Sequence, residues 1–414
     1  MSEPEPQPPV AELIARVDAH GARRAIAGAT VHTPTLISAE LSERLGGSIA
    51  LKAECLQGTG SFKLRGALNK VAALGDRAGG GLVTASAGNH GRAVAQAARL
   101  RGIACEVFMP RDAPVSKVAA VERLGAHVRL EGDSVEEAVE LALERAAAGA
   151  AFVHPFDDLD VIAGQATLGL ELLEDVPDLA RVILPVGGGG LASGVAIALR
   201  SGLPEVEIVG VQARAFAPFA RAFADPDEVM EEHTGGVTIA DGIALKRPGT
   251  LTLPLVRELL SSIETVSEDE IADAMVFLAD RAKLVAEGAG AVAVAALLSG
   301  RVKPAPSGRT VAIVSGGNVD SGLLAGLLRR RETEEGRRVR IFTRVPDRPG
   351  ALAELLGLIA EARANLLSLE HVREAVTLGV RETGVELTLE TRGPEHTESL
   401  VRVLAGAGYE VTVE

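Results

Sequence analysis

Between residues 11 and 330 the chain alternates two rhythms of apolar and polar positions, and each marks a kind of element. Short uninterrupted apolar runs have the length of buried strands; between them, apolar residues recur at helical spacing. Ala11–Ala27 predicts an amphipathic helix, and His32–Thr33–Pro34–Thr35 a turn into the body. The apolar run Ser48–Ala53 is followed by a glycine-rich turn and a helical pattern through Leu68 and Val71. Strand-like runs follow at Gly81–Thr84, Ala104–Met109, His127–Leu130, Phe152–His154, Arg181–Val186, Val206–Gln212 and Val311–Val314. Helical patterns separate them: from Asn89 onward, Lys117–Leu124, Ser134–Ala147, Val161–Leu173, Ala192–Leu199, Glu268–Lys283 and Gly288–Leu298, with Ser321–Arg330 closing the body. Residues 213–250 read as irregular. This alternation predicts an α/β body of parallel sheets covered by helices on both faces.

The rhythm then changes. Residues 331–338, rich in arginine and glutamate, read as a solvated linker, and residues 339–414 as a separate domain. Its elements are strand Val339–Val345, a turn at Asp347–Arg348–Pro349–Gly350, helix Ala351–Arg363, strands Leu366–Arg373 and Gly384–Thr391, helix Glu395–Ala405 and strand Tyr409–Val413. That βαββαβ order is the split, ferredoxin-like arrangement. Residues 1–10 hold four prolines and two glutamates without the basic start and apolar run of a signal peptide, so a disordered tail is expected.

Composition narrows the partners. The net charge of −14 and an aromatic content of 2%, with no Trp and one Tyr, argue against nucleic acid and anionic membranes. The small-residue run Gly288–Leu298 is too short to span a bilayer. Two cysteines, Cys55 and Cys105, make no disulfide framework and have no clustered metal-ligand neighbours, which suits a reducing, cytoplasmic setting.

Four stretches carry candidate chemistry. In Gly58–Thr59–Gly60–Ser61–Phe62–Lys63, Ser61 reads as a helix N-cap, which puts Lys63 in the first helical turn. A cation is disfavoured there by the macrodipole, and with Phe62 alongside, the amine is a candidate nucleophile of lowered pKa; an ordinary solvated lysine is the equally plain alternative. Gly187–Gly188–Gly189–Gly190–Leu191 lies between a strand and a helix, where glycines and free N–H groups admit a phosphate. A dinucleotide fingerprint through Gly187, Gly189 and Ala192 is the rival reading, although the place for its ribose acid holds Gln212. Ser86–Ala87–Gly88–Asn89–His90 also sits at a helix start, where simple capping is the plainer alternative. Ser315 follows a buried-looking strand and precedes Gly316–Gly317–Asn318, which equally fits a strand-end turn.

Ser61–Phe62–Lys63–Leu64–Arg65–Gly66–Ala67 resembles the lysine motif of the pyridoxal-phosphate enzymes that act on serine and threonine, namely the threonine and serine dehydratases and serine racemase. The resemblance spans roughly residues 20–330. It implies a tryptophan-synthase-beta-like body of fold type II, with a small lobe of about residues 53–150 inserted in a large lobe. It also assigns roles. Lys63 would hold pyridoxal 5'-phosphate as a Schiff base, Asn89 would bond its phenolic oxygen, and Gly187–Leu191 would cradle its phosphate. Ser315 would meet its pyridine nitrogen. Phe62, Gly242 and Glu287 would line the cofactor, and Ser86–His90 would take the substrate carboxylate. A hydroxyl at Ser315 leaves the ring nitrogen neutral and favours elimination over transamination. Ala87 stands where serine racemase has its second acid/base, and Gln212 and Pro218 stand where racemase-like relatives place carboxylates for a divalent ion. The chain therefore resembles the metal-independent threonine dehydratases, and the C-terminal part resembles an ACT domain, an amino-acid-sensing module. The implied activity is a threonine ammonia-lyase in a homo-oligomer. Its effector site would use Asp347, Gly350 and Asn365. A serine-preferring dehydratase and a non-catalytic amino-acid sensor stay open as alternatives.

Overall fold

The computed structural model describes residues 8–225, 236–373 and 378–413, so most of the expected N-terminal tail lies outside the described residues. The chain divides into two compact units, Met1–Asp320 and Ser321–Glu414.

The first unit is built on two sheets. The larger runs Thr35–Ile37, Ser48–Ala53, Arg309–Val314, Leu179–Pro185, Glu207–Ala213, Ser262–Val266. Only its first pair is antiparallel. The smaller sheet is wholly parallel, in the order His127–Leu130, Cys105–Met109, Leu82–Ala85, Ala151–Phe152. Its strands all fall between Ser48–Ala53 and Leu179–Pro185 in sequence, so one sheet is an insertion between two strands of the other.

Parallel strands are fully buried only when both faces are covered, and the apolar runs meet that demand. Val182, Ile183, Leu184, Val311, Ala312 and Ile313 are all solvent-free. Helix Gly288–Leu298, apolar on every side, lies buried within the body. No described helix is long and apolar enough to cross a membrane.

Local chemistry moves several expected boundaries. Ala11–Ala27 is two helices, Val10–Ala15 and Ala19–Ile26, because the Asp18 carboxylate accepts from Gly21 N at 2.7 Å and starts a new helix. Glu268–Lys283 is helical only to Phe277, after a capping box between Ser267 and Glu270; one π-type turn follows, ending on Lys283 at φ +58°. The stretch expected to be irregular contains helix Pro218–Ala224. Helix Thr252–Leu259 and strand Ser262–Val266 lie beyond it.

The second unit opens with helix Ser321–Glu334, so the expected linker is helical in its first part and the helix expected to close the body belongs to this unit. Its antiparallel sheet has the order Asn365–Val372, Glu382–Glu390, Arg338–Pro346, Thr412–Val413, the ferredoxin-like pattern. Ile341, Leu355, Ile359, Val385, Leu387, Leu400 and Leu404 form its own core, and Tyr409 packs against it.

Candidate active site

The lysine segment is built onto the end of a neighbouring strand. Ser48–Ala53 runs into a single turn, Glu54–Leu56, and the chain then passes along the residues that follow Arg309–Val314. Phe62 N donates to Ser315 O at 3.0 Å and Gly317 N donates to Gly60 O at 2.9 Å; Ser61 bridges Gly316. Gly60, at φ +78°, leaves room for Asn318, whose amide oxygen would lie 2.5 Å from any Cβ there.

Ser61 does not cap the helix. The helix starts at Lys63 with Phe62 in the cap position and no side-chain cap bond, because pairing with Gly316 draws Ser61 onto the strand end. The Ser61 hydroxyl is left buried without a partner among the described residues. Lys63 Nζ donates to Pro155 O at 2.8 Å and lies 5.3 Å from the Phe62 ring centroid. Burial lowers its pKa to about 8, opposed by the charge of Glu287. Desolvation, rather than the helix dipole, is therefore the main cause.

Asn89 starts helix Asn89–Arg101, capped by neither Ser86 nor its own side chain. Ser86 Oγ instead accepts from Gly88 N at 3.1 Å. Asn318 Nδ2 donates to Asn89 Oδ1 at 2.7 Å and to Thr59 O at 2.9 Å, which fixes the Asn89 amide. Asn89 Nδ2 then donates to Glu287 Oε1 at 2.5 Å. Burial pushes the Glu287 carboxyl up to about 7, with help from Asp241, while the Asn89 bond, Lys117 and Arg92 work against it. Ser315, 2% exposed, makes one long bond, Oγ to Ala289 O at 3.4 Å. His90 is committed elsewhere: its Nε2 donates to the Val153 carbonyl at 2.9 Å, and burial, then the Lys63 charge, lowers its pKa to about 3. It contributes a neutral ring and a backbone N–H.

The glycine loop follows Leu179–Pro185 and opens helix Gly190–Gly202, again without a side-chain cap. Gly189 has φ +89°. A Cβ on Gly188 would enter the Phe156 ring, and one on Gly187 would lie 3.1 Å from Ile243 Cα. The loop is thus glycine because Phe156 and the turn Asp241–Ile243 press on it. Gly242 of that turn lies beside Ala289 and Glu287. Thr252 Oγ1 donates to Gly188 O at 2.6 Å, and Ser193 Oγ is buried without a partner among the described residues. Gln212, at the place of the dinucleotide acid, braces the fold: Nε2 donates to Val186 O at 3.0 Å and Oε1 accepts from Ala220 N at 2.9 Å. That arrangement leaves the dinucleotide reading without its acid.

One segment that sequence reasoning missed joins these parts. His154–Pro155–Phe156–Asp157 gives the Pro155 carbonyl to Lys63 and the Phe156 ring to the glycine loop. His154 Nδ1 accepts from Asp157 N at 2.7 Å, and the Asp157 carboxylate accepts from Thr250, Leu251 and Thr252 N. Its signal was a run of turn-forming residues after a short strand. In the second unit Asp347 and Gly350 share one turn, with Gly350 at φ +92° capping helix Ala351–Glu361. Asn365 is engaged otherwise, its amide donating to Glu390 at 3.1 Å.

Four helix starts without side-chain caps (Lys63, Asn89, Gly190 and Gly288), a desolvated amine and the orphaned hydroxyls of Ser61 and Ser193 are a donor set for an anionic, carbonyl-bearing group. Pyridoxal phosphate has that chemistry, and the residues fit it. A family model described as Pyridoxal-phosphate dependent enzyme matches residues 26–316, and one described as ACT domain matches residues 339–406. The chain is 47% identical over 408 residues to an L-threonine ammonia-lyase of Thermotoga maritima, covering 97% of this chain and all of that one. Among solved structures it is similar to maize serine racemase (TM-score 0.71, 35% identity, 77% of this chain and 97% of that one). It is also similar to the processed form of threonine deaminase isoform 2 from Solanum lycopersicum (TM-score 0.71, 32% identity, 78% of this chain and 89% of that one). The chain belongs to the pyridoxal-phosphate dependent enzymes, in the company of the threonine ammonia-lyases and with an ACT domain at its C-terminus.

Proposed function

We propose that this chain deaminates L-threonine to 2-oxobutanoate and ammonia, and also L-serine to pyruvate. The observation that carries the reading is the buried Lys63 amine, 2.8 Å from Pro155 O, on a segment bonded to the Ser315 strand end. When bound, pyridoxal phosphate supplies the electron sink that acidifies the substrate Cα–H and releases a β-substituent.

The chain's residues do the rest. Lys63 Nζ holds the cofactor, is released when the substrate amine takes its place, and then accepts the Cα proton. The N–H groups of Gly187–Leu191, at a helix start, hold the phosphate. The backbone of Ser86–His90 holds the substrate carboxylate in the same way. Asn89, its amide fixed by Asn318 and Glu287, presents Nδ2 as the donor to the phenolic oxygen, and Phe62, Gly242 and Glu287 line the ring. Ser315 offers the pyridine nitrogen a hydroxyl, so no carboxylate forces it into the protonated form. The β-hydroxyl would leave as water, the proton taken from Cα balancing the one it needs, and the released enamine would take up water to give keto acid and ammonia. Ala87 has no proton to exchange at the opposite face, which opposes racemisation.

We read residues 11–320 as the catalytic domain and residues 339–414, led into by helix Ser321–Glu334, as a regulatory domain in a cytoplasmic homo-oligomer. An uncapped helix start behind Gly350 suits the carboxylate of a small aliphatic amino acid, isoleucine or valine, as effector. Asp347 belongs to that site through its turn, and Asn365 through the strand it opens.

The test is keto-acid production from threonine and serine by wild type and Lys63→Ala, with and without isoleucine or valine. Wild type forms 2-oxobutanoate and its rate responds to one effector; Lys63→Ala loses turnover and the visible band of the bound cofactor while keeping its far-ultraviolet circular dichroism. Absence of keto acid from the cofactor-loaded wild type sinks the reading. An unaltered rate with both effectors sinks the regulatory part.

A further inference from the structure

The lysine helix carries a second charge that the proposed function leaves unused. Arg65 is 1% exposed, and its guanidinium is shared by two carboxylates. Nε and Nη2 donate to the two oxygens of Glu54, each at 2.8 Å. Nη1 and Nη2 donate to the two oxygens of Glu171 at 2.6 and 3.0 Å. Lys52, fully buried, extends the network to Glu171 at 2.7 Å and Asp175 at 3.0 Å. Burial works to raise the pKa of Glu54, but the charge and bonds of Arg65, with a bond from Thr33, hold it below the usual carboxylate range.

Stability alone gives no reason for this network, since buried ion pairs roughly break even against well-packed apolar groups of the same volume. A rigid fork bonded at both edges does fix geometry. Its partners lie on the elements that must be aligned with Lys63. Glu54 begins the turn that leads into the lysine segment. Glu171 lies on helix Leu159–Asp175, whose N-cap, Asp158, directly follows the segment that gives Pro155 O to Lys63. The two helices touch backbone to backbone, a Cβ on Gly164 falling 2.5 Å from Gly66 Cα. On the far side Lys70 pairs with Asp158 at 2.6 Å and Asp160 at 3.0 Å.

We propose that Arg65 is a positioning residue for Lys63: its fork sets the register and rotation of the lysine helix so that the Lys63 amine meets the Pro155 carbonyl beside the Ser315 strand end. A slip of one residue would shift the helix by about 1.5 Å and turn it by roughly 100°. A misplacement near 1 Å is enough to lower a rate about 10²-fold. The inference rests on Lys63 being the lysine that holds the cofactor.

Arg65→Lys keeps the charge and loses the fork; Glu171→Gln keeps the volume and loses the charge. Two readouts apply: kcat and KM for threonine, and the pH profile of Lys63 acylation in cofactor-free protein, followed by mass spectrometry of the Lys63 peptide. Both variants, folded by circular dichroism, should lose kcat about 10²-fold while KM stays within about threefold. The Lys63 midpoint, about 8 in wild type, should move toward the ordinary lysine value. Wild-type kcat with an unmoved midpoint in either folded variant overturns the proposal. So does a change confined to KM, and so does failure of both variants to fold. Lys63→Ala separates the two claims. Cofactor still covalently bound to that variant refutes the role of Lys63, whereas its loss alongside normal Arg65→Lys refutes only the positioning.

Discussion

Glu287 has a buried carboxyl that accepts from Asn89 Nδ2, and its proton affinity makes folding pH-dependent. Its pKa is raised from 4.5 to about 7, burial being the largest cause. The folded state therefore binds more protons than the unfolded chain in that interval, and stability falls as pH rises from about 4.5 to about 7. Glu287→Gln should remove this slope in denaturant unfolding measured across the interval; a variant that keeps the wild-type slope would refute the burial argument. Lys63 has the opposite sign: its amine loses its proton near pH 8 instead of 10.5, so capture of pyridoxal phosphate by cofactor-free protein should be half-maximal near pH 8. A midpoint near 10.5 would refute the desolvation. At this scale the sequence shows which side chains matter and less of how they are tuned. Lys63, Asn89, Glu287 and Ser315 stand in recognisable stretches, yet the cause of the lowered lysine pKa is burial, a property of the fold. Pro155 was illegible for a simpler reason: it acts through its carbonyl, which every residue has.

Elements were legible where one apolar run fills one strand. Val311–Val314 and Val182–Val186 are buried on both faces, so nothing interrupts their pattern. Ser262–Val266 escaped because it is only partly buried and reads as polar. The break at Asp18 escaped because the apolar spacing continues across it while one carboxylate restarts the helix. Ser61 misled in the reverse direction: its type suits a cap, but strand-end pairing with Gly316 takes precedence. The glycine loop is an element-scale feature with a test of its own. Gly188→Ala drives a methyl into the Phe156 ring, so the variant should lose about 1–3 kcal/mol of stability. Cofactor affinity should fall with it. Denaturant unfolding and cofactor titration measure the two effects, and unchanged values in both would mean that Phe156 yields without cost.

At the scale of the whole molecule, separate hydrophobic cores form in the two stretches of sequence, and the change of rhythm after residue 330 foretold the second of them. What the rhythm misassigned was helix Ser321–Glu334, which has no buried residue to declare its allegiance. The aromatic poverty of the chain has an optical consequence. With no Trp and a single Tyr at position 409, tyrosine fluorescence, excited to the red of phenylalanine absorption, comes from the second unit alone, whereas the visible band of a cofactor held at Lys63 comes from the first. Each unit carries its own dye, in colours that do not overlap. Separate cores predict that the two signals change at different urea concentrations during unfolding. Coincident transitions would reveal a single cooperative block. An effector that settles beside the Tyr409 core would dim or brighten the ultraviolet emission before any substrate is turned over.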